Sequence, residues 1–300
     1  MLSPITVERA SGADREAALA LMVSQSNVDD LLEAAEFGEI SLEDYLIAKA
    51  GEQHVGAGFL KFCSDGTAFV TQPVVKQGLS HDAKDIEDAI LKFVRSEVDR
   101  SDCWIAHSLL EISSPARPIL ERNGFAAFIE LTLMHLSLDD VVLATEPLEL
   151  TASSFEESRR QRFEAVLEST YTDTRDCPEV VSLRTSSQAL RGHELQGEAI
   201  ADGWRVFQQA EQDVGIMLLV EHGTMRAWEL AYIGICPEFR RQGYARKMLN
   251  GAIHRAIAAG MDSMCLCVDS RNIRAQRLYE SLGFIPSTQQ VVHARILRGK

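Results

Sequence analysis

The stretch IGICPEFRRQGYARKML, Ile233 to Leu249, carries the reading of this sequence. An apolar run stops at Pro237, a turn with two arginines and a glycine follows, and a helical pattern begins at once. A helix start leaves its first backbone N–H groups unpaired and carries a partial positive charge, and Gly243 lets the backbone come close to a ligand. Arg240, Arg241 and Arg246 add full charges. The combination suits a pyrophosphate better than a single phosphate or a carboxylate. The same residues also describe a basic helix start that is solvated and nothing more.

Working outward, positions 245, 248, 249, 252, 253, 256 and 257 are Ala, Met, Leu, Ala, Ile, Ala and Ile, a spacing that predicts an amphipathic helix ended by Gly260. Ser263 to Val268 is an apolar strand, Ala275, Leu278, Tyr279 and Leu282 line a short helix stopped by Gly283, and Val291 to Leu297 supplies a last strand. Upstream, Trp204 to Gln209 and Val214 to Val220 are short β-type runs around the polar turn AEQD, and a turn at His222 and Gly223 leads to a strand from Ala227 to Cys236. The order strand, strand, strand, helix, strand, helix, strand predicts an α+β fold, a mixed and mostly antiparallel sheet with flanking helices. Further back, SSFEESRRQRFEAVLES (153–169) places Phe155, Phe163, Val166 and Leu167 where a helix could bury them, and Phe128 to Leu138 reads as a strand. Between these two, Asp139 to Pro147 mixes acidic residues with a proline and is the expected boundary, giving domains 1–142 and 143–300.

Two motifs in the second half resemble those of a known family. Arg240, Gly243 and Ala245 fit the R/Q-x-x-G-x-G/A signature of the GNAT superfamily of acyl-CoA-dependent N-acyltransferases, with Pro237 and Phe239 ahead of it as is typical there. Asn272, Ala275, Leu278, Tyr279, Glu280, Leu282, Gly283 and Phe284 read N-x-x-A-x-x-L-Y-E-x-L-G-F and are similar to that superfamily's second motif. The resemblance covers roughly Trp204 to Arg295.

The resemblance implies an acetyl-CoA-dependent N-acetyltransferase, with no metal, in which a primary amine attacks the thioester directly. It places the pantetheine arm in a V between the strand ending near Ile235 and the parallel strand Met264 to Val268, paired with backbone groups of Ile233 and Ile235. The amides of Arg241, Gln242, Gly243, Tyr244 and Ala245 would cradle the pyrophosphate, with Arg240 and Arg246 adding charge. Tyr279, seven residues after Asn272, stands where the family places its general acid, and a phenol with a reference pKa of about 10 is protonated at neutral pH. Asn272 would cap the helix and help orient the cofactor. Glu229, inside AWELAYIGI and eleven residues before Arg240, is the expected base, its pKa raised by burial among Trp228, Leu230 and Tyr232. Some family members use an acid five residues before the asparagine, but that position is Cys267, which leaves Glu229 or a water chain. Read without the resemblance, Tyr279 is also an ordinary core aromatic, Asn272 a bare cap and Glu229 a solvent-facing residue on an edge.

The chain contains a weak internal repeat. ARPILERNGF (116–125) lies on AQRLYESLGF (275–284) at an offset of 159, AILKFV (89–94) then falls on MLNGAI (248–253), and FVTQPVV (69–75) falls on the strand ending at Gly234. The same offset puts His81, Lys84 and Ile86 at the Arg, Gly and Ala positions, among Asp82, Asp85, Glu87 and Asp88, which would repel a pyrophosphate. Leu120 replaces the tyrosine and Ser113 the asparagine. The first half is therefore expected to be a degenerate GNAT-like copy that binds no CoA, leaving one working site in the second.

Composition bounds the remaining function classes. The 300 residues suffice for two domains, and no stretch approaches eighteen uninterrupted apolar residues, so no membrane span is expected. MLSPITVERA lacks the pattern of a secretory signal, which makes the cytoplasm the expected compartment. The net charge of −14 argues against a nucleic-acid partner, yet Glu238 to Lys300 carry eleven Lys or Arg against four Asp or Glu, a local +7 within an acidic remainder of −21. That remainder favours a cationic acceptor: a polyamine, an aminoglycoside-like amine or a protein amino group. The six cysteines form no CxxC pair and the eight histidines no HExxH, so metal chemistry is not expected and core packing is the default for Cys265 and Cys267. The alternative to an enzyme is a non-catalytic acyl-CoA-binding regulator or sensor, and either a monomer or a homodimer is open.

Overall fold

The computed structural model describes residues 2–23, 41–139, 141, 150–222 and 225–297. Two compact units emerge, Met1–Phe128 with Val291–Arg298, and Ile129–Gln290 with Gly299–Lys300. The sequence segment expected as a boundary, 139–147, lies largely outside the described residues. Each unit completes its sheet with a strand from a distant part of the sequence: residues 291–296 join the first, and residues 129–137 join the second.

In the first unit, β1 (Ile5–Arg9), β2 (Tyr45–Ala50), β3 (Gln53–Phe62) and β4 (Thr67–Val70) pair antiparallel in sequence order, with α1 (Ala13–Met22) inserted after β1. The two-residue β5 (Val74–Val75) turns back onto β3, α2 (Ala83–Arg100) follows, and β6 (Ile105–Glu111) pairs parallel with β4. α2 buries Ile86, Ile90, Leu91, Val94 and Val98 against Leu46, Leu60 and Phe125, each fully buried side chain contributing roughly 2 kcal/mol of transfer free energy. A short α3 (Arg117–Arg122) leads into β7 (Ala126–Ser137).

The second unit has the sheet order β7, β13 (Ser263–Asp269), β12 (Ala227–Ile235), β11 (Gln212–His222), β10 (Arg205–Gln209), β8 (Thr151–Ser154), flanked beyond β7 by the start of β14 (Ile285–Ile296). A short β9 (Glu198–Ala199) pairs with β11. β12 and β13 run parallel, while β13 with β7, β12 with β11, β11 with β10 and β9, and β10 with β8 run antiparallel. α7 (Tyr244–Ala258) and α8 (Ile273–Glu280) cover one face, where Met248, Leu249, Ile253 and Phe284 meet Trp228 and Leu230. α4 (Arg160–Tyr171) and α6 (Ser186–Glu194), separated by the one-turn α5 (Pro178–Val181), cover the other through Phe163, Leu167 and Leu190.

The mixed, mostly antiparallel sheet with flanking helices and the element order of the second half agree with the sequence reading. Ile257 departs from the predicted buried helix face: it is 39% exposed, while Ala256 beside it is fully buried. All three segments of the proposed repeat fall on matching elements, α3 with α8, α2 with α7 and β4–β5 with β12, and the parallel pairs β4 with β6 and β12 with β13 stand at the same place in the order.

Candidate active site

The site begins at a break in strand pairing. β12 lies parallel to β13 only over Ala227–Leu230 against Ser263–Leu266. On its other side Leu218 opposes Tyr232 while Leu219 opposes Leu230, so Ala231 is the extra residue of a bulge. A bulge bends its strand and increases the local twist. It does so here where the parallel ladder stops, and from that point the backbone of β12 leaves β13. The extra residue also resets the faces: Ala231 and Tyr232 both join the cluster under α4 and α6, while Ile233 and Ile235 pack toward α7. The resulting cleft has a volume of about 510 Å³.

At the end of β12 the chain turns tightly into α7. Arg241 and Gly243 both have left-handed φ angles, 65° and 84°. A Cβ on Gly243 would meet nothing within 4 Å, so its glycine is required by the dihedral angle, and the space above the backbone is open. The amides of residues 244–246 have no acceptor within the helix, and those of 241–243 make no hydrogen bond among the described residues. A row of free N–H groups thus points outward beside the exposed Arg241 and Arg246.

The three arginines do different things. Arg240 donates from Nε to the Ile235 carbonyl and from Nη2 to the Thr170 carbonyl, both at 3.0 Å, tying the turn to the end of α4. Gly234 makes that approach possible, since a Cβ there would lie 2.6 Å from the Thr170 side chain. Arg246 donates to Ser281 Oγ at 2.6 Å. Tyr244 is buried with its hydroxyl donated to Gln209, which makes it a packing residue whose amide, not its ring, faces the open space.

The far wall holds Cys267, Asn272, Tyr279 and Asp176. Asn272 caps α8, accepting from the Ala275 amide at 3.3 Å. Tyr279 is 7% exposed, packs edge-on against Phe284 at 6.0 Å, and its hydroxyl makes no hydrogen bond to a described residue. Burial pushes this phenol above its usual range, with the Asp176 charge adding to the effect, so it is protonated and able to donate. Cys267, expected in the core, is instead exposed to the cleft; desolvation by the surrounding walls, with Glu229 and Asp176 adding, pushes its thiol up to about 11, too high for a thiolate nucleophile at neutral pH.

Of the expected residues, Ile233, Ile235, Arg240, Arg241, Gly243, Tyr244, Ala245, Arg246, Asn272 and Tyr279 line the cleft, whereas Gln242 and Glu229 do not. Gln242 is exposed and donates to the Glu238 carbonyl at 3.0 Å. The Glu229 carboxylate accepts from His222 Nε2 at 2.7 Å, before the bulge and on the face away from α7. Asp176 was missed by the sequence reading, because TDTRDCPE around it matches no motif and nothing local signals that the loop meets β13. Among the described residues no group of three or more His, Cys, Asp or Glu could hold a metal ion, and no helix is long and apolar enough to cross a membrane.

Comparison with known proteins follows the same outline. Residues 167–284 match the Acetyltransferase (GNAT) family model. A [ribosomal protein bS18]-alanine N-acetyltransferase of Haemophilus ducreyi is 35% identical over 74 residues, covering 25% of this chain and 51% of that protein. A mycothiol acetyltransferase of Thermobispora bispora is 37% identical over 67 residues, covering 22% of this chain and 23% of that one. The match therefore spans about half of the first relative and less of the second. Over the whole chain, the fold is similar to a GCN5-related N-acetyltransferase from Sphaerobacter thermophilus, with a TM-score of 0.66 at 16% identity and coverage of 99% and 97%. It is also similar to a tandem GNAT protein from the clavulanic acid biosynthesis pathway, with a TM-score of 0.56 at 14% identity and full coverage of both chains. The part of the chain that matches the GNAT family model, residues 167–284, is the part that builds the cleft.

Proposed function

We propose that this protein transfers an acetyl group from acetyl-CoA to a primary amine by direct attack, at a single site in its second unit. The observation that carries the reading is the continuity of two features: a strand pair split at a bulge, opening directly onto a helix start with a row of free amides. The first suits an amide-bearing arm that pairs with strand backbone, and the second suits a pyrophosphate. CoA carries both at matching ends. The chemistry of the donor set fits it, with Ile233 and Ile235 for the arm, the amides of 241–246 for the pyrophosphate, and the side chains of Arg241 and Arg246 beside them. When bound, acetyl-CoA supplies the activated acyl group as a thioester.

The chain's own contribution to the chemistry is a protonated phenol. Tyr279 holds an unshared hydroxyl at the cleft wall and serves as the donor to the departing thiolate. This unengaged donor favours an enzyme over a sensor, since a binding role alone would leave it without a use. The protonated Cys267 thiol favours direct attack over an acyl-enzyme.

Among its described residues, the first unit's counterpart of this helix start is acidic. At the start of α2, Asp82 Oδ1 already accepts the Lys84 amide at 2.9 Å, and Asp85 adds a second carboxylate in the same turn. Its strand corresponding to β12 is broken into β4 and β5, with β5 returned to β3. Calorimetry with acetyl-CoA should give one equivalent per chain, with acetyl-CoA consumed when amines are supplied. Two equivalents, or none, would refute the single-site reading.

A further inference from the structure

We infer that Asp176 is the group that takes the proton from an ammonium acceptor in this cleft, an assignment that rests on the acetyltransferase reading above. Asp176 lies between α4 and α5 and lines the same cleft as Tyr279, Tyr232 and Cys267. It is held there by a reciprocal clasp with the end of β13. The Asp269 amide donates to Asp176 Oδ1 at 3.0 Å, and the neighbouring Cys177 amide donates to Asp269 Oδ2 at 3.0 Å. The Asn272 side chain, which caps α8, also bonds Asp176. Cys177 takes a left-handed φ of 45° directly before Pro178, a costly conformation for a non-glycine residue that the clasp keeps in place. The end of β13 and the cap of α8 thus fix one carboxylate on the cleft that Tyr279 also lines, whereas Glu229 is engaged by His222 and does not line it.

The surroundings leave Asp176 as the proton acceptor on this wall. Asp269 is fully buried; although burial acts to raise its pKa, bonds from Arg271 and the Cys177 amide hold it below the usual range, so it stays ionised. Arg271 is itself shared between Asp269 and Glu179 of α5. Among the described residues no cation pairs with Asp176. Burial pushes its carboxyl above the ordinary carboxylate range, with the Asp269 charge adding to the effect against the two hydrogen bonds that oppose it. The other titratable groups facing it, Tyr279 from α8, Tyr232 from β12, Tyr171 from α4 and the thiols of Cys177 and Cys267, are all pushed upward by burial and remain neutral.

The step balances as follows. The ammonium gives one proton to the Asp176 carboxylate, which later returns it to solvent. The neutral nitrogen attacks the thioester carbonyl, the N–C bond forms and the C–S bond breaks, and the thiolate takes the Tyr279 proton. The second proton on the new amide nitrogen restores the phenol. The net products are an N-acetyl amine, a thiol and one released proton.

The test uses the full chain and D176N, with spermidine, ethanolamine and alaninamide as acceptors. D176N should bind acetyl-CoA as the wild type does by calorimetry, while kcat/KM for the amine falls about 100-fold or more. The rise of wild-type kcat/KM with pH, set by the base losing its proton, should disappear in D176N. A carbon-13 NMR titration of the Asp carboxyls supplies a readout independent of turnover: one resonance, lost in D176N, should titrate above the ordinary carboxylate range. Wild-type transfer that D176N retains with an unchanged pH profile, or a loss confined to E229Q, overturns this assignment alone. A wild-type chain that binds no acetyl-CoA overturns the acetyltransferase reading and this assignment with it.

Discussion

Arg240 donates its Nε hydrogen to the Ile235 carbonyl at 3.0 Å, while the same guanidinium reaches the Thr170 carbonyl. The first arginine of the signature therefore closes the turn around the end of β12 and neutralises the carboxyl end of α4, where the helix dipole is negative. On the proposed acetyl-CoA reading, the anion is left to the amides that this brace positions.

R240A should lose hydrogen bonds made by a charged donor, which are worth about 1.5–3 kcal/mol each, and should also weaken CoA binding by freeing the turn. R240K should not rescue either property, because one ammonium cannot reproduce the planar fork. Thermal unfolding and acetyl-CoA calorimetry on the two variants check this. A binding loss with no loss of stability would assign Arg240 to the pyrophosphate itself.

Replacement of Gly243 by Ala separates strain from access. The added methyl meets nothing within 4 Å, so the folded chain should lose only the roughly 1–2 kcal/mol of a left-handed alanine. Acetyl-CoA affinity should fall further than that strain requires, since the methyl occupies the space above the free amides. The comparison is between denaturant midpoints and calorimetric affinities, and affinity unchanged in G243A would place the anion elsewhere.

Y279F should leave stability and acetyl-CoA affinity nearly unchanged, because the lost hydroxyl has no partner among the described residues. It should lower kcat about 100-fold, the usual scale for a general acid. Equal turnover would return Tyr279 to the role of a core aromatic.

His193 predicts an acid limb of stability. It is 6% exposed, its ring lies 5.4 Å from Tyr232, and burial, with Arg184 adding, pushes its pKa down to about 4. The folded state thus keeps it neutral where the unfolded chain, titrating near 6.5, binds a proton. Its contribution is complete above the unfolded value and is lost as pH falls from there toward about 4, on the order of 3 kcal/mol in all. Urea unfolding of the wild type and H193Q across that range should show the slope flattening in the variant.

From β10 to β14 the elements were legible in the sequence, because each is written in local periodicity. Met248, Leu249, Ala252, Ile253 and Ala256 form the buried face of α7, Gly243 and Gly260 mark its ends, and the 159-residue repeat falls on matching elements. The turn between β12 and α7 was legible for the same reason, since a strand end, a glycine and a helix start are consecutive. Tertiary structure alone decided the rest. Where β12 leaves β13 depends on a one-residue mismatch with β11 at Ala231, which single-strand periodicity does not reveal. The end strands were assigned to units by pairing across more than a hundred residues of chain, as when Leu297 donates to Trp104. Arg240 became a brace only because Thr170 comes close to Gly234, and Asp176 reached the cleft only because its loop is clasped to Asp269, 93 residues away in sequence. Periodicity and capping are nearest-neighbour chemistry and are therefore written locally, whereas a carboxylate's role depends on which distant amides and charges surround it, and only the folded chain brings those together.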